Sequence, residues 1–139
     1  MREILFRGKR IDNGEWVEGI PIQTHIGTFI VFEENPHYCG QYGYMEIDGL
    51  VKVIPETVGM YTELKDKNGV KIFEGDIVNV NTNKDTLYHI YQGRHLVIRF
   101  DEYHRFVASG RLEYPLCNHY EWEVIGNIHD NPEFLGVGE

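Results

Sequence analysis

Apolar and polar positions along this chain change over in short runs, and no helical period persists for the roughly 11 residues needed to define a helix face. Ile4-Leu5-Phe6 is a brief apolar run closed by Arg7-Gly8. Ile11-Asp12-Asn13-Gly14-Glu15-Trp16 then reads as strand, tight turn, strand, because Asn-Gly accepts the positive-φ pair of a type I′ hairpin. The second strand continues through Trp16 to Ile20, where Pro21 predicts an edge or a break. Thr28 to Phe32 is almost continuously apolar and predicts a buried strand.

Residues 33–49 break the pattern. Pro36, Gly40, Gly43 and Gly49 alternate there with Tyr38, Tyr42 and Tyr44, which predicts an irregular loop, either mobile or binding. Order returns at Leu50–Ile54, stopped by Pro55, and at Val58–Thr62. Asp66-Lys67-Asn68-Gly69 is a turn, Val70–Phe73 leads out of it, and Gly75 permits a bend before the alternating Asp76–Val80. Further strands are expected at 86–91, 95–100, 105–109 and 121–128. Asn131-Pro132-Glu133 is a helix start with little chain left to follow it.

The fold class that follows is mainly β with little helix: an N-terminal antiparallel β region packed with a small C-terminal SH3-like β-barrel. The 139 residues fit a single unit, with a soft subdivision into 1–62 and 63–139. Composition agrees, since Gly at 15 and Tyr at 9 are high while Ala108 and Ser109 are the only residues of their kinds.

The net charge of −9 changes the functional picture. Residues 11–60 carry eight acids against Lys52 alone, and residues 111–139 carry six against Arg111 alone. Only the first ten residues are basic, through Arg2, Arg7, Lys9 and Arg10 against Glu3. Such a surface repels phosphate, so nucleic acid is disfavoured as a partner, whereas a basic protein is attracted. Two cysteines do not make a disulfide framework, and no run of the ~20 apolar residues that span a bilayer occurs. A cytoplasmic location without membrane contact is the expectation.

Candidate chemistry is sparse. His37-Tyr38-Cys39 and Cys117-Asn118-His119 form a mirrored pair. Residues i and i+2 of a strand share a face, so His37, Cys39, Cys117 and His119 would make a Cys2His2 zinc tetrahedron if the two met, although the spacing is not that of common zinc sites. Glu74 with Asp76, and Glu121 with Glu123, are alternating acids that could split their proton affinities and act as acid and base; they serve equally as a solvated strand face or as turn acceptors. No G-x-S-x-G, P-loop, G-x-G-x-x-G or H-E-x-x-H motif is present, and no catalytic residue and no cofactor is assigned. Trp16, Phe29, Phe32, Tyr61, Phe73, Phe100, Phe106 and Trp122 fall in expected strands and are expected in the core. Tyr42, Tyr44, Tyr88 and Tyr91 fall in or beside loops and are the candidate binding residues, since tyrosine offers contact area at small entropic cost.

Three segments together resemble one family. They are Phe6-Arg7-Gly8-Lys9-Arg10-Ile11-Asp12-Asn13-Gly14-Glu15-Trp16-Val17; Val53-Ile54-Pro55-Glu56-Thr57-Val58-Gly59-Met60-Tyr61-Thr62 continuing through Asp66-Lys67-Asn68-Gly69 to Ile72-Phe73-Glu74-Gly75-Asp76-Ile77-Val78; and Val124-Ile125-Gly126-Asn127-Ile128-His129-Asp130-Asn131-Pro132-Glu133. In this order they resemble a YopX-type protein, a family of bacteriophages and prophages of low-GC Gram-positive bacteria. The resemblance implies a phage accessory protein made in a bacterial cytoplasm and carries no biochemical activity. It has departures: family members often have Gly-Gln-Tyr-Thr-Gly where this chain has Gly59-Met60-Tyr61-Thr62-Glu63, so Glu63 stands at a glycine position, and they often carry an aromatic where Glu18 stands.

Two functions from different classes follow. The first is a non-catalytic interaction protein that binds an unidentified host or phage protein or forms a homo-oligomer. The alternative is a small metal-dependent hydrolase or nuclease, which requires at least three of the acidic, histidine and cysteine groups in one pocket.

Overall fold

A computed structural model describes residues 3–32, 37–81, 95–110, 113–117 and 120–136. The chain divides into two compact units, Met1–Met60 and Tyr61–Glu139. The first unit holds β1 (Phe6–Lys9), β2 (Trp16–Thr24), β3 (Gly27–Val31), β4 (His37–Cys39), β5 (Tyr44–Glu46), β6 (Leu50–Val53) and the start of β7 (Gly59–Lys65). The second holds the rest of β7, then β8 (Lys71–Phe73), β9 (Asp76–Asn81), β10 (Leu96–Phe100), β11 (Phe106–Ser109), β12 (Glu113–Pro115) and β13 (Glu121–Asn127). The only helical segments among the described residues are short 3-10 turns at Pro55–Thr57 and Pro132–Gly136. No helix among them is long and apolar enough to cross a membrane.

In the first unit β6, β3, β2 and β1 lie side by side, all antiparallel. The inner face is built on Thr28 and Ile30 of β3 and Val53 of β6, all buried. Alternation decides this: Phe29 and Val31 point the other way and are only half-buried, and Phe32 beyond the strand is exposed. The near-continuous apolar run therefore marks a strand buried on one face, not on both. Gly19 is required by closeness, since a Cβ there would overlap the Val31 carbonyl oxygen. Pro21 lies inside β2, opposite Ile30, but beyond the last β1 pair at Gly19, so β2 is locally an edge where the missing N–H stands.

The connection from β1 to β2 differs from the expected two-residue hairpin. Only Gly14 adopts a positive φ, at 72°, and its N–H donates to the Arg10 carbonyl at 3.1 Å. Two local polar contacts favour this longer loop: Asn13 Oδ1 accepts the Glu15 N–H at 2.9 Å, and Arg10 pairs with Asp12 at 2.8 Å.

The second unit packs Ile72, Val78, Val80, Leu96, Ile98, Ala108, Tyr114 and Trp122 into one core. Its sheet has the order β12-β11-β10-β9-β13, antiparallel throughout. Among the described residues no pairing joins β12 to β13, so the sheet is not a closed barrel. β12, which follows Gly110, was not evident in the sequence, and Phe100, expected in the core, is exposed. The strand expected at 86–91 lies outside the described residues.

The turn between β7 and β8 is organised by one side chain. Asp66 is buried, and its Oδ1 accepts the N–H groups of Asn68 at 2.8 Å and Val70 at 2.9 Å. Its Oδ2 accepts the N–H of Val124 in β13 at 3.0 Å, while Lys67 N–H donates to the Trp122 carbonyl at 2.9 Å. The turn thus covers the outer edge of β13, whose other edge pairs with β9, and satisfies backbone groups that would otherwise be open to another strand. Before this turn the β7–β8 register slips between Tyr61 and Lys65. Glu63 sits in that bulge with φ 71°, and Thr62 Oγ1 ties the bulge to β8 by donating to the Ile72 carbonyl at 2.8 Å. The position where the resemblance expects glycine is therefore one of left-handed backbone, filled here by a residue with a Cβ.

Candidate functional site

Residues 37–46 form a hairpin where the sequence suggested an irregular loop. β4 and β5 pair His37 with Glu46, Tyr38 with Met45 and Cys39 with Tyr44. The bend closes because the N–H groups of Tyr42 and Gly43 both donate to the Cys39 carbonyl, at 3.3 and 2.9 Å, with Gly43 at φ 71°. Alternation then places Cys39 and Tyr44 on one face and Tyr38 on the other.

The tip presents aromatic surface to solvent. Tyr42 and Tyr44 are 69% and 48% exposed, and their rings stack with centroids 6.1 Å apart and planes 26° from parallel. Tyr38 is 65% exposed. Of the four tyrosines marked in the sequence, Tyr42 and Tyr44 are brought together, while Tyr88 and Tyr91 lie outside the described residues. Tyr38 and Glu46 were not singled out. The signal for Glu46 was available as period two, since Glu46 stands two residues after Tyr44.

One acid of each acidic pair is engaged in structure. Asp76 is 1% exposed, and its Oδ2 accepts the Phe73 N–H at 2.7 Å across the β8–β9 turn, where Gly75 takes φ 90°. Gly75 N–H in turn donates to the Ile98 carbonyl and its own carbonyl accepts from Ile128 N–H, so this turn is a junction of three segments. Glu74 is half-buried beside it. Glu123 pairs with Lys67 at 2.9 Å, and this hydrogen bond is the main reason that the Lys67 ammonium holds its proton more tightly than usual. Glu121 is exposed.

Cys39 and Cys117 are both free thiols, each in its own unit. The side chain of His37 and all of His119 lie outside the described residues. Among the described residues no group of three or more His, Cys, Asp or Glu side chains comes together as a metal site. Within the second unit an open cleft of about 240 Å³ is lined by Leu64, Asp66, Lys67, Cys117, Tyr120 and Trp122 among others. Its polar groups serve the fold: Asp66 holds the turn, and Trp122 Nε1 donates to the Cys117 carbonyl at 2.6 Å.

These features define a two-unit antiparallel β protein that carries an exposed, tyrosine-bearing hairpin. The YopX protein family matches residues 5–136, and the chain belongs to it. It is similar to the protein in the crystal structure of EF1440 from Enterococcus faecalis, with 27% identity and a TM-score of 0.65 over 97% of this chain and 99% of that one. No curated protein matches it.

Proposed function

We propose that this chain is a phage- or prophage-encoded accessory protein that works as a non-catalytic protein-interaction module in the bacterial cytoplasm, contacting a host or phage protein through the β4–β5 hairpin. The observation that carries this reading is the stacked, exposed Tyr42–Tyr44 pair at the hairpin tip. Exposed aromatic side chains of this size are favoured anchors in protein interfaces, because each buries large area while immobilising two torsions. The origin in phage rests on the family resemblance carried by the three sequence segments. The meander β9–β12 with β13 returning beside β9 supports reading the second unit as an opened SH3-like barrel. The hydrolase or nuclease alternative has no comparable support, since Asp76 and Glu123 are already committed to a turn and an ion pair.

The test is site-specific photo-crosslinking in a bacterial host. A benzophenone residue at position 42 is compared with one at position 103, which is also strongly exposed but lies in the second unit. The reading requires a discrete adduct from position 42 that position 103 does not give. Identical adducts from both, or none from 42, would overturn it.

A further inference from the structure

We infer that the hairpin takes an arginine side chain from a basic segment of its partner, stacked on Tyr44 and paired with Glu46. This rests on the hairpin being the interaction surface and names the chemistry of its occupant. Three observations lead there. The Tyr42 and Tyr44 rings are close to parallel and exposed, so they present a flat π surface of the kind a planar cation covers. Tyr44 and Glu46 are two apart on β5, which places a carboxylate beside that ring on the same face, and Glu46 is exposed. The sequence on either side of the hairpin is acidic: residues 11–51 hold seven Asp and Glu and no Lys or Arg.

The chain itself shows the combination satisfied internally. At the turn between β10 and β11, the Arg105 guanidinium lies 5.3 Å from the Tyr103 ring centroid while bonding Asp101 Oδ2 at 3.0 Å. There, as at the hairpin, the aromatic residue and the acid are two positions apart in sequence. Arg7 makes a similar approach to the Trp16 ring at 4.6 Å. At the hairpin Tyr44 and Glu46 are both exposed. Arginine fits better than lysine because its guanidinium is planar, weakly hydrated and able to stack and donate at once.

The experiment titrates the full chain with an arginine–glycine repeat peptide and with its lysine counterpart of equal charge, following the amide and ring signals of residues 38–46 by NMR. The arginine peptide should shift those signals and bind about threefold to fivefold more tightly than the lysine peptide, the preference expected of an exposed cation–π contact. Tyr44→Leu should erase the preference, and Glu46→Gln should weaken both peptides. Equal binding of the two peptides, shifts located elsewhere, or an unchanged preference in Tyr44→Leu would overturn the inference. The comparison of peptides on the unaltered chain needs no variant to fold. If position 42 still crosslinks a discrete partner while the arginine peptide fails, the occupant is wrong and the hairpin surface stands; if both fail, the surface itself is wrong.

Discussion

Replacing Asp66 tests how the second unit is held together. The carboxylate accepts three backbone N–H groups, from Asn68 and Val70 in its own turn and from Val124 in β13. The residue is 7% exposed, so water cannot readily replace a lost partner. In Asp66→Asn, an amide oxygen at the Oδ1 position keeps the two turn bonds without the negative charge. The amide NH2 then meets the Val124 N–H, donor against donor. One hydrogen bond to a charged group is worth about 1.5–3 kcal/mol, and weakening of the other two adds to it, so the loss should be about 2–4 kcal/mol. Asp66→Ala leaves all three donors open and should cost about 3–5 kcal/mol, a large share of the roughly 5–15 kcal/mol by which a domain is stable. Urea unfolding measures the loss as a lowered midpoint. Hydrogen exchange locates it, since the Asn68, Val70 and Val124 amides should lose protection together. An Asp66→Asn protein within about 0.5 kcal/mol of the parent, the range of an ordinary surface change, would refute the assignment. So would a Val124 amide that exchanges at its original rate.

Three further outcomes are expected. Glu63→Gly should raise stability by about 0.5–1 kcal/mol in thermal or urea unfolding, because relief of the left-handed φ outweighs glycine's extra chain entropy. Gly19→Ala should lower stability by about 3 kcal/mol, because the new methyl meets the Val31 carbonyl, which belongs to the β2–β3 ladder and cannot step aside. Burial disfavours the charged form of Asp101, but hydrogen bonds from the backbone and guanidinium of Arg105 and from Tyr103 N–H outweigh it and hold the carboxyl below its ordinary 3.8. With the folded value depressed, its contribution is fully present above the unfolded value and is lost as pH falls through the folded one. The stability gap between the parent and Asp101→Asn should therefore be constant near neutral pH and shrink below about pH 4, as read by unfolding at a series of pH values.

The order and type of most strands was legible because it depends on local rules. Alternation, Pro55 and the glycines at 14, 43, 69 and 75 each act within a few residues, and each of these four glycines takes the positive φ that its turn demands. Family membership was legible for the same reason, since its segments are continuous runs of chain. The dual use of Asp66 was not, because Val124 lies 58 residues away and only folding sets it opposite. Nor could period two say which face of β3 would be covered, or that Phe32 and Phe100 would remain exposed; burial depends on what packs against a strand and not on its own residues. The hairpin at 37–46 falls between the two cases. Its residues were visible as glycine and tyrosine in alternation, but the register that stacks Tyr42 on Tyr44 and sets Glu46 beside them comes from the pairing of β4 with β5. Sequence alone determined that this protein is built of short strands and is net acidic and rich in tyrosine. Tertiary structure decided which carboxylates hold the fold and which face outward, because a carboxylate's role is set by the N–H groups within about 3 Å of it, and those come from distant parts of the chain.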